Sequence, residues 1–354
     1  MKTKTALLAI VSVLMLTSCS SRPLAWHPPK QSDNIKTNEL LQKTEWIDLK
    51  GYYGPEDIAI DSVGNIYAGV RPKKDDFSDG KIIKIDKDGE ISTYADTHSW
   101  VCGLHFDKEE NLIGCDTQRG LISVDKRGKI ITLASQDDRG RKILIPNDVD
   151  IAEDGVIYFS NTSSTMKFNP DNARKILAEQ RADGALYSYN PNTKEIKTLI
   201  DGTYFGNGVA VSQDGSFVLL VDLARYQVRR HWLKGEKAGS TDIFIDNLPG
   251  LPNGISRRKD GSFWLGFTTE RVAILDTIHP YPWLKQLVLA LPRWMQPPQK
   301  PYGIVMHLSQ EGEILQSYYD TSGKFVSEAS SIEEYEGELY LGGDLIDHIG
   351  RFRF

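Results

Sequence analysis

The feature that most constrains the fold is an internal repeat: an apolar strand, a turn of acidic residues or glycine, and a second strand recur six times. The turns lie near residues 64, 110, 155, 215, 261 and 337, so the intervals are 46, 45, 60, 46 and 76 residues. A period of 40–50 residues with four short strands per unit is typical of a β-propeller, in which neighbouring blades pack face to face. The chain is therefore predicted to be an all-β, six-bladed propeller.

Two departures from the repeat predict how the ring closes and where it carries insertions. The last unit lacks a fourth strand, whereas a spare strand at 45–49 precedes the first unit. We expect this strand to complete the sixth blade, because closure removes an exposed sheet edge. Insertions are expected at 165–181 and 277–301. The second contains a predicted short helix, one face of which carries Trp283, Leu284, Leu287, Val288 and Leu291. Packing flat on the propeller, a lid over its channel and a membrane contact all remain open for this helix.

The N-terminus has the pattern of an export signal. A basic start is followed by an apolar run at 6–16 that is too short to span a bilayer, and then by Leu16-Thr17-Ser18-Cys19. This resembles the lipobox of bacterial lipoproteins, which implies a signal peptide over 1–18, acylation of Cys19, a lipidated tether over 19–44 and the propeller over 45–354. The alternative is an ordinary signal peptide with an incidental cysteine. By analogy with lipoprotein sorting, Ser20 implies anchoring in the outer membrane, facing the periplasm or the cell surface.

Charge and the remaining cysteines narrow the possible partners and the redox chemistry. The net charge of −6 becomes −8 once Lys2 and Lys4 are removed with the signal peptide, which disfavours nucleic acid as a partner. Cys102 and Cys115 flank a predicted hairpin. A disulfide is permitted in an exported protein, but cross-strand geometry is demanding, and two buried thiols are the favoured interpretation.

Polar residues recur at one phase of the repeat, immediately before or at the start of each innermost strand. The six positions are Glu56, Cys102, Asn147, Asn207, Asn253 and Glu328. Since innermost strands line the channel of a propeller, these side chains are predicted to form a ring at one mouth of that channel. An asparagine before glycine can also reflect turn chemistry alone. Carboxylate and amide oxygens are the ligands that Ca²⁺ prefers, so the ring is a candidate metal site.

Longer motifs carry a family resemblance that covers residues 54–354. The segments are 146–149 (Pro-Asn-Asp-Val), 158–164 (Tyr-Phe-Ser-Asn-Thr-Ser-Ser), 205–209 (Phe-Gly-Asn-Gly-Val), 228–235 (Val-Arg-Arg-His-Trp-Leu-Lys-Gly) and 247–250 (Asn-Leu-Pro-Gly). The chain resembles the strictosidine synthase-like and adipocyte plasma membrane-associated proteins. These belong with gluconolactonases and paraoxonases in a superfamily of calcium-dependent hydrolases.

The resemblance implies roles for individual residues. Glu56, Asn147 and Asn207 match metal ligands of the hydrolytic relatives. Asn253 stands where those relatives usually have aspartate, and Cys102 stands where paraoxonases have a catalytic histidine. Glu328 matches the acid–base glutamate of strictosidine synthases.

From these residues we expect a Ca²⁺-dependent hydrolase of small esters or lactones. Glu56, Asn147, Asn207 and Asn253 would hold the ion, and Glu328 and Asp148 are the candidate catalytic carboxylates. His105 is expected to face either the channel or a blade core, and the core position is favoured. No Gly-x-Ser-x-Gly motif indicates a serine nucleophile. Two alternatives remain: a non-catalytic propeller that binds a ligand or partner at the envelope, and a carbon–nitrogen lyase resembling the strictosidine synthases.

Overall fold

A computed structural model describes residues 23–32, 35–296 and 299–354. Within these residues, 24 strands form six four-stranded antiparallel sheets around a central axis. The predicted signal peptide and Cys19 lie outside the described residues. No helix in the described part of the chain is long and apolar enough to cross a bilayer.

Each blade is a meander whose first strand is innermost. Blade one comprises β2 (Ile58–Ile60), β3 (Ile66–Val70), β4 (Lys81–Ile85) and β5 (Ile91–Asp96). Blade two comprises β6 (Val101–Phe106), β7 (Leu112–Asp116), β8 (Gly120–Val124) and β9 (Ile130–Ala134). Blade three comprises β10 (Pro146–Ile151), β11 (Ile157–Asn161), β12 (Gly184–Asn190) and β13 (Glu195–Thr203). Blade four comprises β14 (Gly206–Val211), β15 (Phe217–Asp222), β16 (Gln227–Trp232) and β17 (Thr241–Ile245). Blade five comprises β18 (Gly250–Arg257), β19 (Phe263–Glu270), β20 (Gly303–Leu308) and β21 (Ile314–Asp320).

Blade six closes the ring as predicted. It comprises β22 (Ser331–Tyr335), β23 (Glu338–Gly342), β24 (His348–Arg353) and the N-terminal strand β1 (Glu45–Asp48). Strand β1 pairs antiparallel with β24, with Glu45 opposite Arg351. The six-bladed fold is thus confirmed, and the C-terminal strand acquires a hydrogen-bonded neighbour from the other end of the chain.

The hydrophobic core lies within and between the blades. Between blades four and five, for example, the ring of Phe263 lies 6.2 Å from that of Phe217 and 5.8 Å from that of Phe244. Because blades pack against both faces of a sheet, a strand such as β15 has buried residues on both of its faces.

Both predicted insertions connect the second and third strands of a blade, and both contain helices. Helix α1 (Pro170–Glu179) lies in blade three, and α2 (Ala273–Ile278) and α3 (Pro282–Ala290) lie in blade five. Three short 3₁₀ helices span Leu40–Lys43, Leu223–Arg225 and Arg293–Met295. The sequence predicted α3 but not α1, because the segment of α1 is polar and shows no clear apolar face. Its N-terminal residues are nevertheless typical of a helix start, since the Asn169 side chain caps the helix and Pro170 is its first residue.

Residues of the predicted tether lie against the propeller. The Leu24 N–H donates to the Glu179 carbonyl at 2.8 Å, and the Trp26 N–H donates to the His279 carbonyl at 3.0 Å. The Trp26 ring packs against those of Tyr226 and His279. The prolines predict an extended chain, but they do not show that this chain contacts the helical insertions and blade four.

Candidate functional site

The structure places the six predicted ring residues at one mouth of the channel. Each lies at or just before the start of an innermost strand, and each is at most 6% exposed. The innermost strands contact one another in order around the axis, from β2 through β22 and back to β2. Glu56 of blade one and Asn207 of blade four line the same cavity in the channel. Residues about 50 positions apart in sequence are thereby brought into one buried polar ring.

Local irregularities in the strands position four of the ring residues. In each of blades two to five, the register between first and second strand shifts across the ring position. In blade four, for example, the shift lies between Gly206 and Val209 and so includes Asn207. A β-bulge redirects a side chain away from the regular alternation of a strand. The bulges therefore explain how side chains at strand starts are turned toward the mouth.

The glycines that follow two of the ring asparagines, Asn207 and Asn253, allow neighbouring blades to approach closely. A Cβ on Gly208 would lie 2.5 Å from the Asn253 carbonyl oxygen, and one on Gly254 would lie 2.0 Å from the Ser330 carbonyl oxygen. Neither glycine has a positive φ. The Asn-Gly pairs at these positions are thus sites of interblade contact rather than tight turns.

Two of the ring amides hold an oxygen without a hydrogen-bond partner. The Asn253 side-chain nitrogen donates to Thr268 Oγ1 at 2.7 Å and to Ser330 Oγ at 3.3 Å. The Oδ1 atoms of Asn253 and Asn147 are buried and unpartnered. An unpaired buried acceptor is costly, and a bound cation would remove that cost. These donors fit a hard cation, although the described residues contain no group of three or more His, Cys, Asp or Glu arranged to hold a metal.

The two ring glutamates share a strongly desolvated environment. Burial, followed by repulsion from Asp344, raises the pKa of Glu328 to about 8. Burial also raises the pKa of Glu56 well above its usual range, with Asp344 and Asp57 adding repulsion. The Leu345 N–H donates to Glu328 Oε1 at 2.7 Å and fixes the orientation of that carboxyl. A carboxyl with a pKa near neutrality is suited to accept or donate a proton.

Asp148, the second predicted catalytic carboxylate, joins two blades. Its Oδ1 accepts from the Val149 N–H and its Oδ2 from the Val209 N–H, both at 2.7 Å. Asp150 makes the same pair of bonds to Ile151 and Val211, also at 2.7 Å. Because both oxygens of Asp148 accept backbone bonds, its environment favours a structural role.

The sequence did not indicate Arg71 and Asp344, which lie beside the ring. The Arg71 guanidinium is fully buried and donates through Nη2 to the Asp344 carbonyl oxygen. Ser330 Oγ donates to Asp344 Oδ1 at 3.4 Å, which connects Asp344 to Asn253. Arg71 and Asp344 closely follow the second strands of blades one and six. A comparison of the residues that follow the second strand of each repeat, in addition to those at the start of the first strand, would have identified both residues.

Three aromatic rings pack beside Arg71. The centroids of Phe77, Trp100 and Phe168 lie 5.1 to 5.2 Å from one another. The Arg71 Cζ atom lies 3.7 Å from the centroid of Phe77 and 4.7 Å from that of Trp100. We call Phe77, Trp100 and Phe168 the aromatic roof. The roof places apolar surface beside the Arg71 guanidinium.

The channel also contains His105. It lines the channel cavity, with Nε2 3.6 Å from Asp150 Oδ1. The expectation of a core position for His105 was therefore wrong, because its strand phase directs it to the axis. Cys102 and Cys115 are free and buried, and burial raises the pKa of both thiols.

Known proteins show similarity in sequence and fold. A family model described as strictosidine synthase matches residues 147–236, and one described as strictosidine synthase-like, N-terminal, matches residues 35–85. Adipocyte plasma membrane-associated protein from Bos taurus is 31% identical, over 96% of this chain and 86% of its own length. Strictosidine synthase-like protein 3 from Arabidopsis thaliana is 30% identical, over 91% of this chain and 87% of its own length.

Solved structures share the fold at low sequence identity. A gluconolactonase from Xanthomonas campestris superposes with a TM-score of 0.62 and 15% identity, over 94% of this chain and 96% of its own. A regucalcin from Agrobacterium tumefaciens, described as a calcium-binding protein, gives a TM-score of 0.59 and 13% identity, over 87% of this chain and 92% of its own.

Proposed function

Since this chain belongs to the strictosidine synthase-like family, within the superfamily of gluconolactonase-like propellers, we propose that it is a Ca²⁺-dependent hydrolase of small esters or lactones. The observation that carries the proposal is the ring of buried oxygens with unpartnered acceptors on Asn147 and Asn253. The gluconolactonase and regucalcin folds are consistent with this chemistry. The site, rather than the fold, decides between activities.

Five of the six ring residues have a role in this proposal. Glu56, Asn147, Asn207 and Asn253 would hold the ion, which when bound supplies a Lewis acid that polarises a carbonyl oxygen. Glu328, held by the Leu345 N–H, removes a proton from the attacking water and later returns it to the leaving oxygen. The aromatic roof excludes bulk water, which strengthens electrostatic interactions in the site.

Turnover of a phenyl ester and a panel of γ-lactones, with Ca²⁺ and with EDTA, tests the proposal. We expect Ca²⁺-dependent turnover. Glu56→Gln should weaken the Ca²⁺ dependence, and Glu328→Gln should lower kcat by about 10²- to 10⁴-fold, as for loss of a general base. Glu109→Gln, at an exposed turn, is the matched control. Absence of turnover together with no Ca²⁺-induced thermal shift would refute the proposal.

One observation favours a second candidate, a propeller that binds an anionic ligand without turnover. Arg71 Nε and Nη1 are buried without hydrogen-bond partners beneath the aromatic roof. A carboxylate or phosphate group could accept from one of these two donors. Binding of such a ligand that is unaffected by EDTA and abolished by Arg71→Met would support this function.

We also propose that the protein works at a membrane. The motif around Cys19 supports acylation and anchoring in the outer membrane, and the Bos taurus relative is named for its association with the plasma membrane. Several acyl chains hold a protein stably where one chain does not. Mass spectrometry of the N-terminal peptide tests the anchor, since an unmodified Cys19 in protein from its native envelope would contradict it.

A further inference from the structure

The insertions and the N-terminal segment lie on the same face of the propeller as the candidate site. In each blade the first strand starts, and the second strand ends, at the mouth that holds the polar ring. Connections between second and third strands therefore lie on this face, and they include the helices α1, α2 and α3. Turns between first and second strands, such as the one containing Val63, lie on the opposite face. The helical insertions and the polar ring thus face the same direction.

Helix α3 and the 3₁₀ helix after it present large apolar side chains to solvent. The exposed fractions are 66% for Trp283, 47% for Leu287, 83% for Trp294 and 50% for Met295. Trp283 and Leu287 are four residues apart and share one side of α3. We call these four residues the apolar edge. Isolated apolar residues are often exposed on protein surfaces. Tryptophan, however, is enriched where proteins contact membrane interfaces, and the apolar edge contains two exposed tryptophans within twelve residues.

The opposite side of α3 binds the chain that leads to Cys19. Lys285 is fully buried, and its Nζ donates to the Leu24 carbonyl oxygen at 2.7 Å. The Leu24 N–H in turn donates to the end of α1. The fully buried residue of α3 is therefore a lysine, whereas Leu284, Val288 and Leu291 of the predicted apolar face are only half-buried. Only residues 20–22 separate Cys19 from the first described residue, Pro23.

This short connection limits how far the anchor can lie from the apolar edge. A fully extended chain spans about 3.5 Å per residue, so Cys19 lies within about 17 Å of Leu24. A helix with its side chains is about 10 Å across. An acyl chain on Cys19 and the apolar edge can therefore reach one membrane surface together.

The charge of the insertion also favours a bilayer. Residues 271–301 contain four cationic side chains and one acidic side chain, in a chain with a net charge of −6. Of the four cationic side chains, Arg271 and Lys285 are buried, whereas Arg293 and Lys300 are exposed. Arg293 Nη1 lies 3.8 Å from Asp171 Oδ1, so Lys300 and part of the Arg293 charge face the solvent. Basic residues beside an apolar patch are attracted to anionic lipid headgroups.

We infer that the apolar edge inserts into the surface of the bilayer that holds acylated Cys19, so that the channel mouth faces the lipid. The lipid anchor supplies attachment, and the apolar edge supplies orientation. The substrate or ligand of the site then arrives from the membrane surface, which favours amphiphilic molecules. The inference uses the proposed anchor but does not depend on hydrolytic activity.

Fluorescence quenching by brominated lipids tests the inference. The full-length acylated protein is reconstituted into phosphatidylethanolamine–phosphatidylglycerol vesicles with brominated or ordinary acyl chains. Two of the seven tryptophans belong to the apolar edge, so about two sevenths of the emission should be quenched if both contact lipid. The double variant Trp283→Phe, Trp294→Phe should lose that quenching. Trp46→Phe, at an exposed tryptophan on the outer strand of blade six, should retain it.

Other outcomes would overturn the inference. Equal emission in both kinds of vesicle would show that the apolar edge does not reach the lipid. Quenching that persists in the double variant would place the contact elsewhere. Cross-linking of Trp283→Cys protein to a second copy, without quenching in the wild type, would make this surface an interface between copies. The mass of the N-terminal peptide reports separately on Cys19, so failure of the anchor is distinguishable from failure of the orientation.

Discussion

Replacing Glu328 by glutamine should make the metal-free protein more stable at alkaline pH. The pKa of Glu328 is raised from 4.5 to about 8 by burial and by Asp344. The folded state therefore binds this proton more tightly than the unfolded state does. The contribution of this proton to the free energy of unfolding is fully present below pH 4.5 and is lost as the pH rises through about 8.

The magnitude follows from the size of the change in pKa. An increase from 4.5 to about 8 corresponds to about 5 kcal/mol of unfolding free energy once the carboxyl is fully ionised. Glutamine has nearly the same shape and retains an oxygen that can accept from the Leu345 N–H. It carries no charge, so the variant should lack this part of the pH dependence. Glu56 and Asp344 remain and contribute their own dependence.

Urea unfolding at pH 5 and pH 8.5 in EDTA measures the effect. At pH 5 the variant and the wild type should differ by less than about 1 kcal/mol, since Glu328 is then largely protonated. At pH 8.5 the variant should be more stable by about 3 to 5 kcal/mol. Ca²⁺ should stabilise the wild type most at the higher pH, because the ion binds the ionised ring. Glu109→Gln controls for loss of one surface charge.

Parallel pH profiles for Glu328→Gln and the wild type would refute this reasoning. They would mean that the Glu328 carboxyl titrates in its ordinary range. A carboxylate solvated in that way would not be tuned for proton transfer near neutral pH, and the proposed role of Glu328 would lose its physical basis.

Three further predictions follow from the contacts of single residues. Asp148→Ala should lower the free energy of unfolding by about 2 to 4 kcal/mol, because two buried N–H groups lose their acceptors. Asp150→Ala should match it, and a much smaller loss in urea unfolding for Asp148→Ala would contradict the structural role. Phe168→Ala should speed alkylation of the Cys102 thiol, followed by peptide mass spectrometry, since it opens the aromatic roof. An unchanged rate would mean that the roof does not limit access. Lys285→Met should speed proteolysis within residues 23–32, and equal cleavage in both proteins would show that this lysine does not hold the segment.

The sequence by itself determined the six-bladed architecture and its closure by an N-terminal strand, and it singled out the six residues of the polar ring as candidates. These inferences succeed because each blade repeats the same strand and turn pattern, and because repeat phase fixes which residues face the axis. The strand predicted at 45–49, for example, corresponds to β1.

Only the tertiary structure decided what each polar group contacts. Asp148 reads as a second catalytic carboxylate in sequence, yet its oxygens accept from backbone groups in two different blades. Arg71 reads as an ordinary residue after a strand, yet it is buried beside Asp344, 273 residues away. The solvent exposure of Trp283 likewise depends on which side of α3 meets the propeller. Such contacts join distant segments, so local pattern cannot specify them; they follow from how closely neighbouring blades and their insertions pack.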